Sequence, residues 1–367
     1  MSLSRPAHIR IHLQALQHNL QQVKKAAPQA KTMPALKANA YGHGLVATAK
    51  TLADIADGFM LACLAEALAL RDVHITQPLM VIQGAQSDAD LQLALEKNIR
   101  LVIHDETQLK RLANFKPASQ SKHKQRLTIT LKLDTGMHRL GLAPEKIQFI
   151  YQQLKRHPVI HPDIWLMSHF ACADEPDNAM TSEQINCFEH YTAALNAPKT
   201  LANSAGILAW PASHYDWVRP GIMLYGSSPI NTIDRQVYDL QTTMTLSAPL
   251  IAIHTLKKGD AVGYGATWIC PEDTRVGVVA CGYADGYPRS IVPMTSVWFN
   301  DRFHQIVGRV SMDVIIINLE DTRATIGEQV ELWGQHVTID DLATRAQTIS
   351  YELLCRAGNS CRSVIEP

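Results

Sequence analysis

Over the first two-thirds of the chain, short apolar runs alternate with stretches whose apolar residues recur every three or four positions. The runs Met33–Leu36, Gly58–Cys63, Leu79–Gln83, Arg100–His104, Leu127–Asp134, Ile164–His169, Thr200–Asn203 and Trp217–Arg219 read as strands. Between them, Gly44–Ala56, Leu64–Val73, Asp88–Lys97, Glu106–Asn114, Pro144–Arg156 and Glu183–Asn196 read as amphipathic helices. Eight strands in alternation with helices predict a (β/α)8 barrel rather than a doubly wound sheet. No GxGxxG follows the first strand, which further disfavours a dinucleotide fold.

After about Leu240 the texture changes. Thr243–Leu250, Arg275–Val279, Ser296–Phe299, Gln305–Val310, Val314–Leu319 and Gln329–Leu332 are strand-like, and only Asp340–Arg345 and Ser350–Cys355 look helical. The expected organisation is a barrel over residues 1–240 and a mostly β domain over 241–367. Ala7–His12 reads as a strand that returns to this second domain.

Composition narrows the function classes. Lys+Arg and Asp+Glu are 34 each, a balance that argues against a nucleic-acid or anionic-membrane partner. No apolar run approaches a membrane span, and the N-terminal residues lack the pattern of a signal peptide. Seven irregularly spaced cysteines fit a reducing cytoplasm better than a disulfide framework, and none sits in a zinc-binding pattern, so no metal is expected.

Chemistry concentrates where the predicted strands end. Lys37 follows the first strand and precedes Ala38-Asn39-Ala40-Tyr41-Gly42-His43-Gly44, which delivers an amine to a glycine-rich rim. A desolvated amine there can lose its proton and attack an aldehyde. Arg139 lies past strand five, His169 ends strand six, Asn203-Ser204 end strand seven and Arg219 ends strand eight. In such barrels the C-terminal strand ends carry the chemistry. Asn203-Ser204-Ala205-Gly206 leads into a helix, and Arg219-Pro220-Gly221-Ile222 makes a tight turn; both suit an anion. Strand five alternates: Leu127, Ile129, Leu131 and Leu133 share one face, and Thr128, Thr130, Lys132 and Asp134 the other. With the leucine face on the helices, Lys132 points into the barrel, where a charged amine is costly unless paired.

These runs resemble the motifs of the alanine racemases over nearly the whole chain: the segment around Lys37, Asp134-Thr135-Gly136-Met137-His138-Arg139-Leu140-Gly141, Arg219-Pro220-Gly221-Ile222-Met223-Leu224-Tyr225-Gly226, Gly263-Tyr264-Gly265, Gly282-Tyr283-Ala284-Asp285-Gly286 and Gly308-Arg309-Val310-Ser311-Met312-Asp313. The resemblance implies a homodimeric, cytoplasmic enzyme that interconverts L- and D-alanine with pyridoxal 5'-phosphate, supplying D-alanine for peptidoglycan. It implies that Lys37 carries the cofactor, and that Tyr41, Asn203, Ser204, Gly221, Ile222 and Tyr351 gather round it and its phosphate. Arg219 would face the pyridine nitrogen, held by His169. Being permanently charged, Arg219 would leave that nitrogen unprotonated and weaken the electron sink, limiting side reactions. Tyr264 would be the second catalytic base, opposite Lys37. Arg139 and the Met312 amide would meet the substrate carboxylate, and Tyr283 would narrow access. Lys132 stands where many members carry a carbamylated lysine that braces the arginine; neutrality or pairing with Asp134 are the other ways to relieve its charge.

The C-terminal run Cys355-Arg356-Ala357-Gly358-Asn359-Ser360-Cys361-Arg362 departs from the family's proline-containing ending. A racemase for another small or basic amino acid shares the expected fold. A decarboxylase is disfavoured by Tyr264 and Arg219, and a non-catalytic pyridoxal-phosphate carrier by the second domain.

Overall fold

The computed structural model of the chain describes residues 5–118, 125–230, 232–292 and 294–366. Strand β1 (His8–His12) runs into a long helix, Leu13–Ala26. Eight short parallel strands follow: β2 (Lys31–Thr32), β3 (Phe59–Leu61), β4 (Leu79–Val81), β5 (Ile99–Ile103), β6 (Ile129–Lys132), β7 (Trp165–Met167), β8 (Lys199–Thr200) and β9 (Trp217–Val218). They pair in the order β2-β9-β8-β7-β6-β5-β4-β3. A parallel bridge from Ala35, just beyond β2, to Met60 in β3 brings the two ends together. The result is the expected (β/α)8 barrel. Strands buried on both faces explain the unbroken apolar runs; every residue of β5 is buried. The first ladder falls earlier than Met33–Leu36 because Pro34 has no N–H to give it. Met33 and Ala35 still donate to the Val218 and Pro220 carbonyls, so the segment stays extended.

The N-terminal end of the barrel is packed by alternating cations and indoles. The Arg100 guanidinium lies 4.0 Å from the Trp165 ring centre, Trp165 and Trp217 are 4.6 Å apart, and Lys31 Nζ is 5.4 Å from Trp217. Arg100 also donates to the Ile129 and Asp163 carbonyls and to the Asp163 carboxylate. Burial lowers its pKa to about 10, which leaves it charged.

The second domain is built from β10 (Met244–Leu256), β11 (Ala261–Val262), β12 (Trp268–Ile269), β13 (Thr274–Val279), β14 (Ser296–Phe299), β15 (Arg302–Gln305), β16 (Ile315–Asn318), β17 (Gln329–Trp333) and β18 (Arg362–Glu366). β1 lies between β10 and β18, antiparallel to the first and parallel to the second, so the chain's start belongs to this sheet. The strand expected over Gln305–Val310 is displaced to β15. Asn300 and Asp301, at φ 46° and 58°, make a two-residue hairpin turn from β14, whereas Gly308 at φ 72° interrupts the later run.

Two helices end the domain, Ile339–Arg345 and Ser350–Ser360. The second rests directly on the barrel mouth. A Cβ built on Gly358 would lie 2.2 Å from the Gly42 Cα, and one on Gly42 would lie 2.4 Å from the Leu354 carbonyl oxygen. A continuous hydrophobic core includes Leu36 and Leu166 of the barrel with Ile9, Leu246 and Leu353 of the second unit.

Candidate active site

Lys37 follows β2 and opens a single turn of left-handed helix. Ala38, Asn39, Ala40 and Tyr41 have φ of 54°, 55°, 53° and 50°. None is glycine, and this conformation costs roughly 1–2 kcal/mol per residue. Side chains hold it in place. The Glu66 carboxylate accepts from the Ala38 amide at 2.7 Å and from the Ala62 amide at 2.8 Å. Asn39 Oδ1 accepts from the Leu45 amide at 2.8 Å. His43 Nδ1 faces the Ala40 and Tyr41 carbonyls at 3.1 and 3.0 Å, so it must be the donor. Its Nε2 lies 2.8 Å from the Thr243 hydroxyl, which also reaches the Tyr225 carbonyl. Strain held by surrounding structure marks functional sites. Here it swings Lys37 out of the strand and turns Tyr41 inward. Burial first, and the Arg139 charge second, lower the Lys37 pKa.

Arg219 is fully enclosed at the end of β9. Its terminal nitrogens donate to the Thr200 hydroxyl and to the Ser168 and Leu201 carbonyls, with His169 Nδ1 at 3.4 Å. The His169 contact is the longest of these, so the backbone holds Arg219 more firmly than the histidine does. Burial lowers its pKa to about 10, and the charge persists at neutral pH. One nitrogen is left over: Arg219 Nε is buried with no hydrogen-bond partner among the described residues. An orphaned N–H of this kind is costly unless a ligand completes it.

Beside it, Ser204 Oγ accepts from the Gly221 and Met223 amides at 2.8 and 3.3 Å. Asn203 caps the helix Ser204–Ala209 by accepting from the Gly206 amide. Ile222 opens the tight turn Ile222–Tyr225. A Cβ at Gly221 would lie 3.1 Å from the Tyr41 hydroxyl and 3.8 Å from Ser204 Oγ, so glycine keeps a small polar hollow open. Tyr41 stacks on Tyr225 at 4.6 Å, and Tyr351, from the helix Ser350–Ser360, tilts over it at 5.7 Å.

Lys132 ends β6, buried as the alternation predicts. Burial first, then Arg139 and Arg219, lower its pKa to about 8. Asp134 does not serve it. That carboxylate is taken by the Gly136 and His138 amides and the His138 ring at 3.0–3.1 Å, and no ion pair from Lys132 is found among the described residues. Arg139 is exposed at the mouth. Among the described residues no group of three His, Cys, Asp or Glu side chains is placed to hold a metal ion.

The structure therefore gathers Lys37, Tyr41, Lys132, Arg139, His169, Asn203, Ser204, Arg219, Gly221, Ile222 and Tyr351 around one mouth. It does not bring Tyr264, Tyr283 or Met312 to the same chain's Lys37 by any hydrogen bond among the described residues. Tyr264 is 70% exposed and Met312 52% exposed on the second domain. Tyr283 and Met312 stand together: the Tyr283 amide donates to the Ser311 carbonyl and the Ala284 amide to the Met312 carbonyl. Reading the sequence missed Glu66 and His43. Glu66 looks like an ordinary acid in a helix's first turn, but His43, between two glycines, carried a signal in its own spacing.

Comparison with known proteins places the chain in a family. A family model described as alanine racemase, N-terminal domain, matches residues 11–229, and one for the C-terminal domain matches 243–365. The alanine racemase of Shewanella woodyi is 46% identical, covering 94% of this chain and 95% of that protein. That of Pasteurella multocida is 43% identical and covers 96% of each. Among solved structures, the biosynthetic alanine racemase from Pseudomonas aeruginosa superposes with a TM-score of 0.92 at 38% identity, covering 99% of this chain and 100% of that one. The alanine racemase from Acinetobacter baumannii gives 0.91 at 37% identity, with the same coverage. The chain thus belongs to the alanine racemase family.

Proposed function

We propose that this chain interconverts L- and D-alanine with pyridoxal 5'-phosphate carried on Lys37, supplying D-alanine for peptidoglycan. The observation that carries the reading is the buried Arg219 Nε, a charged donor left without a partner among the described residues, beside a half-buried lysine. The site suits the cofactor. Lys37 offers an amine whose pKa is already lowered, Arg219 offers the free N–H to a ring nitrogen, and the hollow at Gly221 is bordered by the Tyr41 and Ser204 hydroxyls. Asn203, Ile222 and Tyr351 would complete the phosphate end, and His169 would steady Arg219. When bound, pyridoxal phosphate supplies the electron sink that makes the α-proton of an amino acid removable.

The chain's own residues supply the rest. Lys37, poised to lose its ammonium proton, serves as base on one face of the substrate. Tyr264 serves the other face, taking or returning the proton there, which is what inversion requires. Arg219 keeps its own charge, so a ring nitrogen held against its Nε would stay without a proton. Arg139 and the Met312 amide bind the substrate carboxylate, and Tyr283 narrows the approach. The exposure of Tyr264 and Met312 supports a homodimer in which one copy's second domain completes the other's barrel. Lys132, buried with a pKa near 8 and with Asp134 already engaged, suits carbamylation better than pairing. A carbamate would give Arg139 an anionic, planar partner. We place the unit boundary at 240/241 and the enzyme in the cytoplasm; no helix among the described residues is long and apolar enough to cross a membrane.

The test is direct. The purified protein should be yellow and form D-alanine from L-alanine, more so with added cofactor. Lys37→Ala should abolish both turnover and the borohydride-stable attachment of cofactor. Failure of the loaded enzyme to form D-alanine would overturn the substrate; cofactor still trapped in Lys37→Ala would move the attachment to another lysine.

A further inference from the structure

We infer that Arg5 is a positioning residue for substrate binding: its guanidinium clamps together the two loops that present Tyr283 and the Met312 amide. The inference rests on the proposed reading that these loops reach the substrate. Arg5 stands almost at the start of the chain, yet its partners lie 280 and 308 residues away. Nε and Nη2 fork onto the Asp285 carboxylate, with Nη2 at 2.9 Å from Oδ2, and the same Nη2 reaches Asp313 Oδ1 at 2.7 Å. Asp285 belongs to the turn Tyr283–Asp285, and Asp313 follows Met312 directly.

Asp285 is completely buried, and its other side-chain bond comes from the Gly282 amide at 2.9 Å. A buried carboxylate is tolerated only with a paired, well-formed partner. Its one ion-pair partner among the described residues is Arg5. The loops are already close: a Cβ on Gly282 would lie 2.3 Å from the Met312 carbonyl oxygen. The Ala284 amide fixes that carbonyl, while no hydrogen bond from the Met312 amide is found among the described residues. The peptide that carries this N–H is turned by the Tyr283 amide on the Ser311 carbonyl, and the clamp through Asp285 and Asp313 keeps the two loops, and so that contact, together. There is also a charge argument. Two carboxylates flank the amide that would receive another carboxylate, the substrate's. Arg5 offsets them, and without it the site would repel its own ligand.

Steady-state kinetics with L-alanine, alongside thermal unfolding, test this on the intact enzyme. Arg5→Ala should raise KM roughly tenfold, the weight of one charge-assisted hydrogen bond, with kcat changed by less than about twofold. Arg5→Lys keeps the charge but not the fork, and should recover part of the loss. Arg5→Ala with Asp285→Asn removes the unpaired buried charge; it should restore the melting temperature and leave KM raised, because Asp313 stays untethered. A folded Arg5→Ala with wild-type KM overturns the clamp, as does a double variant in which KM recovers with stability. Tyr283→Ala and Met312→Pro separate the two layers. If both raise KM and Arg5→Ala does not, the clamp alone fails. If neither raises KM, the loops do not serve the substrate, and the site reading fails with it.

Discussion

A buried amine near two guanidinium groups has little reason to keep its proton, and Lys132 makes the consequence measurable. Unfolded, it titrates near 10.5; folded, burial and then Arg139 draw it to about 8. Between those values the unfolded chain holds a proton that the folded chain lacks, so stability rises with pH across that window. Below it the folded lysine is charged and its full cost, about 3 kcal/mol at most, is present. In buffer free of carbon dioxide, Lys132→Met should therefore be more stable than wild type at pH 7, and the difference should fade by about pH 10.5. Urea unfolding at several pH values reads both. Added bicarbonate should raise the melting temperature of wild type and not of the variant; equal responses would remove the carbamate. Tyr264→Phe tests the opposite face. Exchange of the L-alanine α-proton should be lost while that of D-alanine, served by Lys37, persists, followed by deuterium uptake. Equal loss from both enantiomers would sink the two-base assignment. Lys132 was legible because a strict alternation fixes a side chain's direction. Arg5 was not, because nothing local in a sequence reports a partner 280 residues away.

Among the elements, the eight barrel strands were legible and the left-handed turn was not. Buried parallel strands leave continuous apolar runs, which survive errors of a residue or two at their ends. Ala38, Asn39, Ala40 and Tyr41 carry no comparable mark, since three of them have little intrinsic preference for positive φ. Tertiary contacts impose the conformation, and His43 supplies one of them from full burial. Its ordinary value of 6.5 falls to about 4, with burial the main cause. As pH drops from 6.5 toward 4 the unfolded histidine takes a proton that the folded one refuses, so stability is lost through that range, by roughly 3 kcal/mol at the limit. His43→Asn should be less stable at neutral pH and show a flatter acid slope, measured by denaturant unfolding between pH 7 and 4. An unchanged slope would mean that His43 is not held neutral. The hairpin at Asn300-Asp301 was available to a closer reading, since two residues tolerant of positive φ between β-rich runs are a turn signal.

For the whole molecule the open question is where one active site ends and the next begins. If Tyr264 and Met312 complete a neighbour's barrel, two inactive proteins should rescue each other. Lys37→Ala and Tyr264→Phe, unfolded together and refolded, would form mixed dimers with one intact site of two. Random pairing makes half the dimers mixed, so about a quarter of wild-type activity should return. No rescue would place Lys37 and Tyr264 in one chain's site.

The seat of the helix Ser350–Ser360 has a mechanical consequence. At one point it bears on Gly42 through Gly358; at another, Gly286 presses on Ala357, where a Cβ would come within 2.7 Å of the amide nitrogen. Backbone meets backbone at both bearings, with no side chain between to act as a cushion. The helix is a rigid spacer gauged between the left-handed turn after Lys37 and the Tyr283 loop. One methyl group at Gly358 would act as a shim, forcing the spacer back by about an ångström or more. Tyr351 would then lift from Tyr41 just as Ala357 was driven into the Tyr283 loop, so a change smaller than a water molecule would throw two sites out of alignment together.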